Sequence, residues 1–337
     1  MAVVAVVVAV VVAVVAVAAV AVVVVAVAAA VVVVAKNKSW KTNNKSKEKF
    51  MGRVTLPVLG VGIGFREQFA GELFLNQDKV GFLEVIADHY IDPHPNKEKE
   101  LAILKEHFTL VPHAINLSLG SAEGLNQIYL KKLANLVNKL NPPWWSEHIC
   151  FTQAGGIDIG HLSPLPFTWE AIDVIVKNIK QVKEYINAPL ILENITYMME
   201  IPGAEMSEAE FISEILMQTD CGLLLDITNL HINCVNHKLD IENFLSQIPL
   251  ELVVQLHFVG GHYHHNLLID SHSHPTPTEV WQLMETVAKR ACLKGVILER
   301  DENFPPFSEL LAELEQARQA IKVNKPSLVV SEDLSWV

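Results

Sequence analysis

The stretch CGLLLDITNLH, residues 221–231, decides the fold class. It is a short apolar run that ends in Asp226, and a histidine follows five residues later at His231. Runs of this length, separated by amphipathic segments, are typical of the strands of a (β/α)8 barrel. Seven further runs of this kind are VLGVGIG (58–64), VGFLEVIADH (80–89), LVPHAINLS (110–118), WWSEHICF (144–151), PLILENI (189–195), LVVQLHFVGGH (252–262) and GVILER (295–300).

Helix-like segments alternate with these runs. Thr168 and Ser207 occupy N-cap positions, and Glu210 completes a capping box with Ser207. A strand followed by a helix, repeated eight times, predicts a parallel sheet that closes on itself. We therefore expect an α/β fold, a single-domain (β/α)8 TIM barrel over residues 51–337. The helix-like segments are residues 123–140, 168–186, 207–217, 278–288 and 307–321, and the enlarged loops are residues 154–166, 195–204 and 260–277.

The first 50 residues do not resemble the rest of the chain. Residues 2–35 contain only Ala and Val, and residues 36–50 contain six Lys and one Glu. The two-letter run is of low complexity, and we interpret it as an artefact or a disordered extension. A membrane anchor remains an alternative interpretation of the run, because ~20 apolar residues span a bilayer. A signal sequence is disfavoured, because no basic region precedes the run. A genuine anchor followed by this Lys cluster would keep the barrel in the cytoplasm.

Charge and cysteine usage limit the function. Without the first 50 residues, the chain has 20 basic and 37 acidic side chains, a formal charge of −17. This acidity argues against nucleic acid as a partner, because phosphate binding requires a basic surface. The cysteines form no CxxC pair and predict reduced thiols in a reducing compartment, so we expect a cytoplasmic protein. They are Cys150, Cys221, Cys234 and Cys292.

The residues at the strand ends are mostly of metal-binding types. Nitrogen and oxygen ligands suit Fe, Mn or Zn, and the absence of cysteine among them disfavours a structural zinc site. The candidates outnumber the ligands of one ion, so two or three ions bridged by carboxylates are expected. These candidates are His89, His113, Glu147, His148, Glu193, Asn194, Asp226, His231, His257, Asp270, His272 and Glu299.

Several of these residues also have ordinary structural interpretations. A single strand-end carboxylate is often the buried partner of an arginine or a backbone amide. His107 and His161 are expected at the surface, and Trp144 and Trp145 are expected to pack under the barrel rim. The segment GVGIGF, residues 60–65, lacks the third glycine of a phosphate-binding loop. Ten polar residues at eight strand ends nevertheless favour a functional site.

The motifs resemble a known family, the multinuclear non-haem iron-dependent oxidative enzymes, which includes the oxidase of methanobactin biosynthesis. The resemblance covers residues 57–305 in order. It is carried by GIGFRE, LEVIADHY, VPHAINLSLG, SEHICF, LENI, LLLDITNLH, HFVGG and DSHSHP.

The resemblance implies a TIM-barrel enzyme that holds two or three iron ions and uses O2 as co-substrate. Its substrate would be a cysteine residue in a ribosomally made precursor peptide, and a partner protein would recognise the peptide leader. Glu193, Arg300 and Asp301 are candidate catalytic residues, with Arg300 expected to orient a carboxylate or anchor an anionic substrate. The implied metal ligands are His89, His113, Glu147, Asn194, Asp226, His231, His257, Asp270, His272 and Glu299.

Two other functions stay open. A hydrolase or isomerase on the same barrel would use Zn or Mn to activate water. A non-catalytic protein would use the metal for stability alone, with a closed coordination shell. Metal identity and dependence on O2 distinguish the three hypotheses.

Overall fold

Eight parallel strands form a closed barrel in the computed structural model, which describes residues 56–199 and 201–322. The barrel strands are β1 (Gly60–Gly64), β2 (Leu83–Ile86), β3 (Leu110–His113), β4 (Trp145–His148), β7 (Leu190–Glu193), β8 (Gly222–Asp226), β9 (Val253–Phe258) and β12 (Gly295–Leu298). They follow one another around the barrel in sequence order, and β1 pairs with both β2 and β12. The eight strand-like runs and the closed fold are thus confirmed.

Helices cover the outside of the barrel. They are α1 (Ala70–Leu75), α2 (Pro95–His107), α3 (Gln127–Leu140), α4 (Trp169–Tyr185), α5 (Glu208–Thr219), α6 (Ile227–His237), α7 (Ile241–Gln247), α8 (Thr278–Arg290) and α9 (Phe307–Lys322). Thr168 caps α4, and Ser207 with Glu210 forms the expected capping box of α5. Helix α3 begins four residues later than predicted, because the Asn126 side chain accepts hydrogen bonds from the first backbone amides of that helix.

Two of the three enlarged loops contain β-hairpins. One hairpin pairs β5 (Phe151–Ala154) with β6 (Ile157–Ser163), and the other pairs β10 (Gly260–His264) with β11 (Leu267–His274). Both follow the carboxyl end of a barrel strand, so they rise from the face where a barrel carries its active site. The sequence predicted the position of these insertions but not their antiparallel strands.

The lower half of the barrel is filled by apolar side chains. The buried cluster consists of Phe82, Val111, Trp144, Ile191, Leu224 and Ile297. The prediction that Trp144 and Trp145 are packing residues is confirmed, since both are fully buried. Position 62 in the glycine-rich first strand requires glycine, because a Cβ there would lie 2.2 Å from the carbonyl oxygen of Phe82. A side chain at this position would force β1 and β2 apart.

The Ala/Val run, the Lys-rich segment and the proposed domain start at Met51 lie outside the described residues. Every helix within the described residues is too short or too polar to cross a bilayer. Cys150, Cys221 and Cys234 are buried free thiols, and Cys292 is an exposed one.

Candidate metal centre

The period of two along each strand places the candidate ligands directly above the apolar core. Successive side chains of a strand point to opposite faces, so residues two apart share the barrel interior. Five core residues are each followed two positions later by a buried carboxylate or histidine side chain. These pairs are Phe82 and Glu84, Val111 and His113, Ile191 and Glu193, Leu224 and Asp226, and Ile297 and Glu299.

The strand ends bring the ligand-type side chains together in three groups. The first group is His113, His148 and Glu193; the central group is Glu193, Asp226, His257 and Glu299; the rim group is His272, Glu299 and Asp301. Within each group, one nitrogen or carboxylate oxygen from every member lies within 4.8 Å of the others. Glu193 belongs to the first and central groups, and Glu299 belongs to the central and rim groups. The three groups therefore form a row that is joined by two shared carboxylates.

Close contacts define the geometry of the row. Glu193 Oε2 lies 3.4 Å from His113 Nε2 and 3.3 Å from His148 Nε2, while its Oε1 lies 3.2 Å from His257 Nδ1. Glu299 Oε2 lies 3.0 Å from His257 Nδ1 and 3.7 Å from His272 Nδ1. Nitrogen and oxygen atoms at such separations can share one cation.

Buried polar atoms without hydrogen-bond partners test whether metal ions fit this site. Six ligand-type atoms in or beside the three groups are buried and form no hydrogen bond of acceptable geometry. Burying such atoms unpaired is costly, and a cation bound between them removes that cost. The residues present therefore fit hard or borderline metal ions. The six atoms are His148 Nδ1, Glu193 Oε2, Asp226 Oδ2, His257 Nδ1, Asp270 Oδ1 and His272 Nε2.

The electrostatics of the site also favour cations. Burial, reinforced by the carboxylates of Glu193 and Asp270, raises the pKa of Asp226 well above its ordinary value. Burial opposes protonation of His148, but Glu193 and Glu147 outweigh it and raise the His148 pKa to about 9. Burial likewise opposes ionisation of Glu299, but His257 outweighs it and holds the Glu299 pKa well below its usual range. Without metal, protons on the imidazoles balance the carboxylates, and bound cations would displace those protons.

The side chains of Glu147 and Asn194, two of the ligands implied by the resemblance, form hydrogen bonds with backbone groups. Glu147 accepts hydrogen bonds from the amides of His148 (2.7 Å) and Leu117 (3.0 Å). Asn194 donates to the carbonyl of Asp226 and accepts from the amide of Asp226. In this structure both residues hold the strand ends in place. His148, which is not among the ligands implied by the resemblance, and Glu193, a candidate catalytic residue, lie in the ligand groups.

His89 and His231 lie outside the three groups. His89 is partly exposed in the turn after β2, and the partial burial of its ring, followed by the charges of Lys97 and Arg66, lowers its pKa. His231 lies in the second turn of α6, and burial lowers its pKa, opposed by the charge of Glu279. Asp270 is closer to the site, with Oδ1 2.8 Å from His272 Nε2.

The two residues after Glu299 point in opposite directions. Asp301 faces the rim group: its Oδ2 lies 3.1 Å from His272 Nδ1, and its Oδ1 pairs with Arg66. Arg300 is buried on the other side of the strand and pairs with Glu313 of α9 at 3.3 Å. Arg66 thus brings to the rim the positive charge that we expected from Arg300.

A protein-family comparison matches residues 60–322 to the RiPP precursor modification enzymes MbnB/TglH/ChrH, where RiPP denotes a ribosomally synthesised and post-translationally modified peptide. The chain belongs to this family. The resemblance carried by the strand-end motifs is therefore confirmed. The prediction that the chain belongs to a family of peptide-modifying enzymes is confirmed as well. The residues that form the three groups all lie within the matched part of this MbnB/TglH/ChrH-family chain.

Relatives of the MbnB/TglH/ChrH-family chain agree with this assignment. It is 34% identical over 264 residues to a UPF0276 protein of Caulobacter vibrioides, covering 78% of this chain and 94% of the relative. A UPF0276 protein of Shewanella sediminis is 34% identical over 262 residues, covering 77% and 93%. Among solved structures, a xylose isomerase domain protein from Planctomyces limnophilus has a TM-score of 0.52 at 13% identity, covering 80% and 99%. That likeness shows the barrel fold alone.

Arg66 and Glu84 are the polar residues that the sequence analysis missed. Each had a usable signal: Arg66 follows the first strand directly, and Glu84 is a charge inside the apolar run VGFLEVI. In a barrel strand, a charge at an inward position is costly unless it is paired. Glu84 is paired, with Gln255 and His257.

Proposed function

We propose that this protein is an O2-dependent multinuclear non-haem iron oxidase that modifies a cysteine residue of a ribosomally synthesised precursor peptide. The observation that carries the proposal is the row of three ligand groups joined by Glu193 and Glu299. Shared carboxylates are suited to hold neighbouring cations a few ångströms apart. The family of peptide-modifying enzymes supplies the substrate class.

The ligand chemistry supports iron over a structural metal. The groups contain only imidazole and carboxylate donors, and the described buried cysteines are absent from them. Imidazole with carboxylate suits iron, and such sites leave positions open for substrate. Two or three bound iron ions would supply coordination of the substrate thiolate and, with O2 as oxidant, the capacity for cysteine oxidation.

The chain's own residues hold charge and direct the substrate. His113, His148 and His257 provide nitrogen donors around Glu193. Protons on His148 and His257 would leave when cations bind. Asp301, paired with Arg66, lies at the rim side of the row next to His272. The substrate thiol would enter from this side, since the opposite end of the barrel is filled by the apolar core.

Exposed apolar side chains near the rim support the binding of a peptide. Exposed apolar side chains lie on the loops and hairpins that follow β4, β7 and β9, on the same face as the ligand groups. Exposed apolar side chains beside a site can contact the apolar residues of a partner. We assign them to the precursor peptide and to a leader-binding partner protein, in a reducing cytoplasm where the substrate cysteine stays a thiol. They are Ile157, Ile159, Met198, Met199 and Tyr263.

Metal analysis of the full chain tests the proposal. Protein produced with iron supplementation is expected to hold two or three irons per chain. Its visible absorption should change when O2 or a cysteine-containing peptide is added to the anaerobic, reduced form. His113→Ala should lose iron, whereas His161→Ala, which changes an exposed histidine of β6, should keep it.

Two results would contradict the oxidase. Stoichiometric zinc with no uptake of iron would favour a hydrolase or isomerase with metal-activated water. Full iron loading without any response to O2 or thiol would favour a non-catalytic metal site.

A further inference from the structure

A second polar set lies beneath the central group, inside the barrel. It consists of Glu84 on β2, Gln255 and His257 on β9, and Trp144 just before β4. All four side chains are buried, with exposed fractions of 3% for Glu84 and 0% for the others. A carboxylate at this depth needs a reason, because its desolvation costs several kcal/mol unless it is paired.

His257 connects this set to the central group through its two ring nitrogens. On one side, Nδ1 lies 3.0 Å from Glu299 Oε2 and 3.2 Å from Glu193 Oε1. On the other side, Nε2 lies 2.8 Å from Glu84 Oε1. The ring is thus held between the ligand carboxylates above and a carboxylate that belongs to none of the three groups.

Trp144 fixes the orientation of Gln255. An indole N–H is a donor only, so the Gln255 atom that lies 2.8 Å from Trp144 Nε1 is the carbonyl oxygen. The amide nitrogen of Gln255 therefore faces Glu84 and donates to Glu84 Oε2 at 2.6 Å. Gln255 Nε2 also lies 3.1 Å from His257 Nε2, and which atom donates in this contact depends on the imidazole tautomer. With the proton on His257 Nε2, both nitrogens are directed at the Glu84 carboxylate.

We propose that Glu84 is a positioning residue that accepts the Nε2–H of His257 and so presents His257 Nδ1 as the metal-binding atom of the central group. Gln255 and Trp144 hold the Glu84 carboxylate in place for this task. A hydrogen bond from the far nitrogen of an imidazole ligand to a carboxylate fixes the tautomer and strengthens the nitrogen as a donor. The inference rests on the metal-binding part of the proposed function and not on iron or oxidation.

The geometry also explains why a glutamate stands inside an apolar strand. Glu84 is two residues beyond Phe82, on the same inward face, and Phe82 packs in the core against Trp144. A leucine at position 84 would fill the space but would remove the carboxylate that faces both His257 Nε2 and the amide of Gln255. The carboxylate of Glu84 would also compensate for the charge of cations bound in the central group.

Metal titration of isosteric variants tests the proposal. Zn²⁺ and, without O2, Fe²⁺ are titrated into the full-length chain in competition with a coloured chelator. Glu84→Gln is expected to weaken one of the bound ions about 10- to 100-fold and to leave the others within a few-fold. The matched control is Glu208→Gln, which neutralises a half-buried glutamate of α5 outside the ligand groups and should bind ions as the wild type does.

Unchanged affinity for every ion in Glu84→Gln would overturn the proposal. A uniform loss at all sites, together with a lower melting temperature of the metal-free chain, would assign Glu84 a merely structural role and would also overturn it. A crystal structure of the metal-loaded wild type gives a test that needs no variant. It is expected to show the ion on His257 Nδ1, and an ion on Nε2 would refute the inference. A zinc-only protein with this ligation would support the role of Glu84 and still contradict the iron oxidase.

Discussion

Glu299 Oε2 lies 3.0 Å from His257 Nδ1, and this contact is fixed by the pairing of two neighbouring strands. In the register of β9 and β12, Ile297 stands opposite His257, so Glu299 extends from the next inward position. The central group therefore depends on backbone geometry rather than on flexible loops. Sites built on such elements hold their ligands more accurately than sites on loops.

Glu193→Gln is expected to remove metal from two groups at once, because Glu193 is shared between the first and central groups. We expect at least one ion per chain to be lost and turnover to fall more than about 100-fold. Metal content by elemental analysis checks this. Glu184→Gln, at an exposed position of α4, is the control, and equal metal content in the two variants would show that Glu193 is not a ligand.

The stabilising effect of metal is expected to grow as the pH rises from about 6.5 to 9. Glu193 and Glu147 outweigh burial and raise the pKa of His148 to about 9, against about 6.5 in an unfolded chain. Protonated His148 therefore stabilises the metal-free fold fully below pH ~6.5, and this contribution is lost as the pH rises through 9. Bound cations take over the role of those protons.

Melting temperatures with and without a chelator, measured between pH 6 and 9, check this linkage. The gap between the two curves should widen by several degrees, which corresponds to about 3 kcal/mol for a shift of this size. A gap that stays constant across this range would show that His148 does not exchange a proton for metal.

Asn194→Ala is expected to destabilise the fold even without metal. The Asn194 side chain makes two hydrogen bonds with the backbone of Asp226, at 3.0 and 2.9 Å, in a fully buried setting. Losing them leaves buried backbone groups unpaired, at a cost of about 2–4 kcal/mol in the free energy of unfolding. Denaturant unfolding of the metal-free variant measures it.

Asn138→Ala, which removes one exposed hydrogen bond to Tyr185, should cost less than about 1 kcal/mol. If Asn194→Ala lost only metal and no metal-free stability, Asn194 would be a ligand, as the family resemblance implies.

Arg300→Met and Arg66→Met are expected to act differently on the rim group. Arg300 contacts Glu313 on the outer side of the barrel, so its replacement should lower stability by about 1–3 kcal/mol and leave the metal affinity unchanged. Arg66 pairs with Asp301 beside the rim group, so removing its positive charge should tighten the binding of a cation there about fivefold. Zn²⁺ titrations of the two variants check the contrast. Tighter Zn²⁺ binding in Arg300→Met would contradict this prediction and show that Arg300 acts on the metal site.

Much of the fold and part of the site follow from sequence patterns. The strands were predictable because each is a short apolar run whose polar end marks the barrel mouth, and Thr168 and Ser207 mark helix starts by their hydrogen-bonding chemistry. His113, Glu193, Asp226, His257 and Glu299 were also found from their positions at strand ends. The two hairpins were not predicted, because insertions on this face carry no fixed period.

At the strand ends, the structure and the sequence-based expectations differ in which of two adjacent residues faces the ligand groups. Counting in twos from Trp144 leads to His148 rather than Glu147, and counting from Ile297 leads to Glu299 and Asp301 rather than Arg300. This alternation of inward-facing and outward-facing residues could be read from the sequence, but the count must start from the core residue of each strand. The orientation of the His231 side chain could not be predicted from the sequence, since it depends on where α6 begins.

The rim group differs from the other two in what supports it. His272 stands on β11 of a hairpin outside the barrel, whereas every ligand of the central group stands on or directly after a barrel strand. Ions bound at the three positions should therefore exchange with solution at different rates. The rim ion would leave within the time of a hairpin movement, while the central ion would wait for the barrel itself to open. Partially loaded preparations would then differ chiefly in the rim position, and a brief chelator pulse would produce a defined two-ion enzyme.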